Sequence, residues 1–108
     1  MLRGSHVGHD SLISNNCVLS CNVLIGGHSI LGEGVNMGLG SICHQFSKIG
    51  SYSMIGMGAI ITKKFESKCF GVFVGNPAKY IKDNEHLKKN FTEEQIFEID
   101  EIFQKIIL

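Results

Sequence analysis

Residues 5–64 divide into ten hexapeptides with none left over: SHVGHD, SLISNN, CVLSCN, VLIGGH, SILGEG, VNMGLG, SICHQF, SKIGSY, SMIGMG and AIITKK. The third place holds Val7, Ile13, Leu19, Ile25, Leu31, Met37, Cys43, Ile49, Ile55 and Ile61, all apolar. The first place holds only Ser, Cys, Val or Ala, and the fourth is Gly in six of the ten repeats. A hexapeptide period specifies a parallel β-helix, with one short strand and one corner per repeat. The aliphatic third residue points into the prism, the small first residue fits the inner corner, and Gly relieves the turn. Three hexapeptides close one triangular coil, so residues eighteen apart stack at the sheet spacing of about 4.7–4.9 Å.

That stacking turns the sequence into columns. His9, Gly27 and Gln45 share one; Asp10, His28 and Phe46 share the next; Gly8, Gly26 and His44 share the one before. Four of the five histidines therefore gather at or near one edge of the prism.

The 108 residues make one domain at most. The repeats amount to about three and a third coils, little more than a solenoid needs, and its ends want caps. The first coil is expected to be covered, most simply by a neighbouring subunit. Lys plus Arg and Asp plus Glu number 10 each, so no basic stripe points to nucleic acid or anionic lipid. Cys17, Cys21, Cys43 and Cys69 form no CxxC pair. They read as reduced thiols of a cytoplasmic protein, with Cys43 in the core. No apolar run is long enough to span a membrane, and the first four residues do not resemble a signal peptide.

Along the chain, residues 1–4 are a lead-in and 5–64 the prism. Residues 65–70 read as a loop and Gly71–Val74 as a further strand-like pass. Pro77 suits the first turn of a short helix over 78–88. Thr92 and Gln95 form a capping box, with Glu93 and Glu94 at the positive helix end. Ile96, Ile99, Phe103 and Ile106, flanked by Phe97 and Ile102, give an apolar stripe that needs a partner: the prism, the preceding helix or another subunit. The division is thus a β-helix over 1–76 and a helical extension over 77–108.

His6-Val7-Gly8-His9-Asp10 sets a carboxylate beside an imidazole. Histidine, with an unperturbed pKa of about 6.5, is suited to proton transfer near neutrality. A neighbouring Asp can fix its tautomer and support its charged form. Gly27, stacked on His9, brings a backbone N–H to the same place, where it can hold the oxyanion of an acyl-transfer intermediate. A metal reading draws on His6, His9 and His28 across subunits. The histidine pair five apart that serves metal in carbonic-anhydrase-like hexapeptide proteins is absent, and no metal is assigned.

The run His6-Val-Gly-His9-Asp10, Asn15-Asn16, Gly27-His28, His44-Gln45-Phe46 and Ile49-Gly50 resembles the C-terminal half of the UDP-N-acetylglucosamine O-acyltransferases of lipid A biosynthesis. Leu87-Lys88-Lys89, Phe91-Thr92 and the helix after them are similar to that family's C-terminus. The resemblance implies a left-handed coil, a homotrimer with active sites between subunits, and a cytoplasmic enzyme. By that resemblance, His9 is the general base, Asp10 its support and Gly27 N–H the oxyanion donor. His6, His28, His44 and Gln45 contact the acyl donor or a nucleotide-sugar acceptor. The implied reaction moves an acyl group from a thioester to a sugar hydroxyl or amine, with no bound cofactor. Two departures bear on the substrates. The family's N-terminal coils, which help hold the nucleotide sugar, have no counterpart here. Gly75-Asn76-Pro77-Ala78-Lys79 is closer to the hexapeptide sugar acetyltransferases, whose Gly-x-Pro-Ala-Lys loop lies near coenzyme A; this makes Asn76 and Lys79 donor-contact candidates. The donor is therefore acyl carrier protein by one motif and acyl-CoA by the other. Met54 and Met57 face outward and are candidates for limiting acyl-chain length. The rivals are an acetyl-CoA-dependent sugar acetyltransferase and a truncated, inactive trimerisation module.

Overall fold

A computed structural model describes residues 2–62, 65 and 68–107. Among these the repeat forms ten two-residue strands: β1 (His6–Val7), β2 (Leu12–Ile13), β3 (Val18–Leu19), β4 (Leu24–Ile25), β5 (Ile30–Leu31), β6 (Asn36–Met37), β7 (Ile42–Cys43), β8 (Lys48–Ile49), β9 (Met54–Ile55) and β10 (Ile60–Ile61). Each occupies the second and third places of a hexapeptide. Lys63 and Lys64, which end the tenth, lie outside the described residues, as do 66–67 of the expected loop.

Every third strand pairs in parallel at an offset of eighteen residues, as in His6↔Leu24 and Leu24↔Ile42. The three resulting sheets are the prism faces: β1-β4-β7-β10, then β2-β5-β8, then β3-β6-β9 continuing into β11 (Gly71–Val74) and β12 (Lys79–Asp83). Third-place residues from Leu19 to Ile61 are buried, whereas Val7 and Ile13 at the N-terminal end are only half-buried. First-place residues from Val23 to Ala59 are buried as well. The buried hydroxyls of Ser41, Ser47 and Ser53 donate to the carbonyls of Gly38, His44 and Lys68 at 2.6–2.7 Å, so their burial leaves no unmet bond.

The turn chemistry falls at a different place in the hexapeptide from the one expected. No fourth-place glycine has a positive φ; the left-handed residue is the sixth, from Asp10 at φ 58° to Tyr52 at φ 56°. Fourth-place glycine instead permits close stacking of coils: a Cβ on Gly8 would lie 2.6 Å from Gly27 N. Sixth-place residues build three corner columns. The first contains Asp10, His28 and Phe46; the second Asn16, Gly34, Tyr52 and Phe70; the third Gly4, Asn22, Gly40 and Gly58.

The lead-in and part of the expected loop also belong to the coil. Leu2 N donates to Leu19 O and Asn22 N to Arg3 O. Phe70 N donates to Ser51 O, which places Cys69 and Phe70 directly over Ser51 and Tyr52.

The helix expected over 78–88 is largely replaced. Asn76–Pro77 is a cis bond in the turn between β11 and β12, and β12 pairs antiparallel with β11. An unpaired last strand would leave a row of bare N–H and C=O groups, and folding back satisfies them. A short helix α1 (Glu85–Lys88) follows. Asp83 joins these pieces, accepting from Tyr80 Oη and from Lys68 and Lys88 Nζ at 3.0 Å each. Those three contacts hold its carboxyl well below the usual carboxylate range.

Helix α2 (Glu93–Ile107) starts at the expected capping box: Gln95 N donates to Thr92 Oγ1 at 3.1 Å, and Thr92 N to Gln95 Oε1 at 2.8 Å. Its stripe finds the prism as partner. Ile96, Ile99, Phe103 and Ile107 pack with Cys69, Phe70, Tyr52 and Phe91 over the second corner. Phe97, Ile102 and Ile106 stay exposed. Burial pushes the Cys69 thiol up to about 11. No helix among the described residues is long and apolar enough to cross a membrane.

Candidate active site at the first corner

Between the first and second faces, each coil sends out two residues in the turn: His9 and Asp10, Gly27 and His28, Gln45 and Phe46. A left-handed backbone at the sixth place lifts Asp10, His28 and Phe46 off the prism, with φ of 58°, 58° and 63°. Asp and His tolerate this region better than most residues, but for a residue as bulky as Phe it is uncommon and costs free energy.

His9 Nδ1 lies 3.1 Å from Asp10 Oδ2, and His28 Nε2 lies 3.8 Å from the same oxygen. The His9 and His28 rings meet edge to face with centroids 5.0 Å apart. Below them, His28 stacks flat on Phe46 at 4.8 Å with 3° between the planes. The hydrogen bond from His9, and then the charge of His28, hold the Asp10 carboxyl below its ordinary value. His9 and Asp10 are open, at 78% and 70% side-chain exposure, so solvent screens their pairing.

Gly27 lies against His9: a Cβ built there would come 3.3 Å from His9 Nε2. Nδ1 thus addresses Asp10 while Nε2 addresses Gly27. The Gly27 N–H has no hydrogen-bond acceptor among the described residues. Its neighbours are braced. His28 N donates to His9 O at 2.9 Å, Phe46 N donates to Gly27 O at 2.9 Å, and Ser11 Oγ donates to Gly26 O at 3.1 Å.

The candidate residues therefore divide. His9, Asp10, Gly27 and His28 converge. His44 and Gln45 are exposed in the adjacent coil, His44 stacked in column with Gly26 and Gln45 with Gly27. His6 is exposed on β1, at the margin of the first face. Asn76 and Lys79 are not brought to this corner; they flank the β11–β12 turn, where Ala78 N donates to Ile60 O beyond the last coil. Of the metal-capable groups, the structure joins His9, Asp10 and His28, with ligand atoms all within 4.8 Å of one another, in place of the His6, His9 and His28 set. Phe46 is the residue that site reasoning passed over; its eighteen-residue offset from His28 was the available signal.

Comparison with known proteins gives this geometry a context. No protein-family model matches the chain. Over 75 residues it is 39% identical to the acyl-(acyl-carrier-protein)–UDP-N-acetylglucosamine O-acyltransferase of Stutzerimonas stutzeri (strain A1501), covering 69% of this chain and 28% of that protein. The enzyme of the same name from Ectopseudomonas mendocina (strain ymp) is 36% identical over the same shares. This chain is similar to a segment of those O-acyltransferases. Among solved structures, the UDP-N-acetylglucosamine O-acyltransferase of Moraxella catarrhalis RH4 superposes with a TM-score of 0.68 and 27% identity, over 93% of this chain and 44% of that one. The coil is accordingly the left-handed β-helix of the O-acyltransferases. Galactoside acetyltransferase in complex with coenzyme A shares the fold, with a TM-score of 0.64 and 20% identity over 83% of this chain and 61% of that one. The chain spans 28% of the length of the O-acyltransferases that it matches in sequence.

Proposed function

We propose that this chain carries the catalytic corner of an acyltransferase, which moves an acyl group from a thioester to a hydroxyl or amine of a nucleotide-activated amino sugar. The observation that carries the reading is His9 with Nδ1 3.1 Å from Asp10 Oδ2 and with Gly27 packed alongside its Nε2 edge. Asp10 keeps the Nδ1–H tautomer, so Nε2 presents its lone pair outward. The acceptor's proton goes to Nε2 as its oxygen or nitrogen attacks the thioester carbon. The Gly27 N–H receives the developing oxyanion. Collapse breaks the C–S bond, and the proton leaves His9 for the departing thiolate. No bond to the protein forms.

His28 at that centre, with His44 and Gln45 in the adjacent coil and His6 at the margin of the face, would contact donor or acceptor. The names of the relatives support acyl carrier protein as donor and UDP-N-acetylglucosamine as acceptor. Gly75-Asn76-Pro77-Ala78-Lys79 supports a second reading, an acetyl-CoA-dependent sugar acetyltransferase, with Asn76 and Lys79 on the coenzyme. Exposed Leu12, Val18 and Leu24 on the outer faces support assembly into a homotrimer whose subunits share each site. We place the enzyme in the cytoplasm, with the prism over 1–76 and the extension over 77–108 as its two parts.

The test is thiol release from acetyl-CoA and, separately, from a hydroxyacyl carrier protein, with a panel of UDP- and dTDP-amino sugars. Turnover that falls about 10²–10⁴-fold in His9→Ala supports the base. An unaltered rate removes it. Silence with every pair, from a folded trimer, favours the inactive trimerisation module.

A further inference from the structure

The cluster around Asp83 is closed: its carboxylate is taken up by Tyr80, Lys68 and Lys88. The first corner is different, because three metal-capable side chains stand there exposed, each with a donor atom within 4.8 Å of the other two.

We infer that His9, Asp10 and His28 form a binding site for a divalent transition metal of the zinc or cobalt type, and that its occupation switches the base off. A four-coordinate ion with nitrogen and oxygen ligands at about 2.0–2.2 Å sets its ligand atoms about 3.4 Å apart. The His9 Nδ1–Asp10 Oδ2 and His28 Nε2–Asp10 Oδ2 distances of 3.1 and 3.8 Å bracket that value. All three donors lie within 4.8 Å of one another, so the two imidazoles need close by only about an ångström or so around the shared carboxylate. The ring stacking supplies the preorganisation. Phe46 holds the His28 plane from below, and the edge-to-face contact orients His9 against it. Two imidazoles and one carboxylate suit zinc or cobalt better than magnesium or calcium, which prefer all-oxygen sets. The fourth position faces solvent.

The switch follows from the tautomer. In the metal-free corner His9 carries its proton on Nδ1, bonded to Asp10, and offers Nε2. An ion on Nδ1 displaces that proton, and the neutral ring holds its one proton on Nε2. The nitrogen facing Gly27 becomes a donor and can no longer accept a proton. The ion also takes the Asp10 oxygen that supported the imidazole. Ring charge and proton count are unchanged; only the proton's position on His9 differs.

The binding half stands without the acyltransferase reading; the switching half rests on it. Binding is read first, on the intact protein, by visible absorption during titration with Co2+ and by calorimetry with Zn2+. We expect one ion per chain and the intense visible bands of a four-coordinate N/O site. Affinity should fall about tenfold or more in both His28→Gln and Asp10→Asn, with circular dichroism of each variant unaltered, and should be unchanged in His86→Ala. Equal binding in wild type, His28→Gln and Asp10→Asn overturns the site. So does a sulfur-to-cobalt charge-transfer band in the near ultraviolet, which would move the ion to a thiol. With a working donor–acceptor pair, Zn2+ should inhibit at the concentration at which it binds, and a chelator should restore the rate. Binding at this corner without inhibition overturns the switch and leaves the site.

Discussion

The first and second corners of the prism are built on the same backbone and meet opposite fates. Each stacks an aromatic ring at a left-handed sixth place upon the residue one coil before: Phe46 on His28 at 4.8 Å, Phe70 on Tyr52 at 5.2 Å. At the second corner the chain returns, and α2 with Phe91 covers the rings, leaving Phe70 2% exposed. At the first corner nothing in the described chain returns, and Phe46 is 54% exposed. Hydrophobic burial offsets the backbone cost at the second corner. At the first corner the ring is largely open, so burial offsets less of that cost. Strained residues kept without burial mark positions where geometry serves chemistry.

The comparison can be broken by one substitution made twice. Phe70→Gly should cost about 3 kcal/mol or more in urea unfolding, because a buried aromatic is lost and the helix loses its seat. Glycine's ease at positive φ recovers only part of that. A loss below about 1 kcal/mol would show that α2 does not depend on this corner. Asp83→Asn comes next, with an expected cost of about 1–2 kcal/mol at pH 7 from weakened charge-assisted bonds to Lys68 and Lys88. The folded carboxyl is depressed from its ordinary 3.8. Its contribution is therefore full above about pH 4 and is lost as pH falls toward the folded value. The gap between wild type and variant should close in acid, and a gap that widens there would contradict the assignment. Thr92→Ala should cost about 1 kcal/mol through the cap of α2 without altering the first corner. The smallest effect belongs to Phe46→Gly, where relief of the left-handed backbone offsets much of what a largely exposed ring contributes, leaving stability within about 1 kcal/mol. Activity should fall nonetheless, and Phe46→Tyr should restore it.

What was legible beforehand was whatever depends on period alone. Third-place residues go inside because a strand alternates faces, and the offset of eighteen that stacks His9 with Gly27 and Asp10 with His28 follows from three repeats per coil. Which place carries the turn was not legible: the six fourth-place glycines suggested a permissive backbone, but they answer to the closeness of the neighbouring coil. Strand β12 was hidden for a related reason. The sequence from Lys79 to Asp83 has no strong pattern, and it becomes a strand because β11 offers an unpaired edge. Asn76 and Lys79 rest on a loop motif separate from the histidines, and they flank the β11–β12 turn rather than the first corner. Ile106 belongs to the stripe with Ile99 and Phe103 by period, and Phe97 and Ile102 flank it, yet the second corner takes Ile99, Phe103 and Ile107 and leaves the other three exposed.

Because residues eighteen apart share a column and residues six apart share a place on successive corners, length changes in this chain act as symmetry operations. Removing eighteen residues from the prism is a translation along its axis: every later side chain keeps its corner and moves down one storey. Removing six is a rotation by a third of a turn, which would send His28 from the corner of Asp10 to another, with the core still filled. Removing one is neither, and it turns the interior outward. An architecture of this kind can change its length freely in one quantum, relocate its chemistry in another, and tolerate almost nothing between.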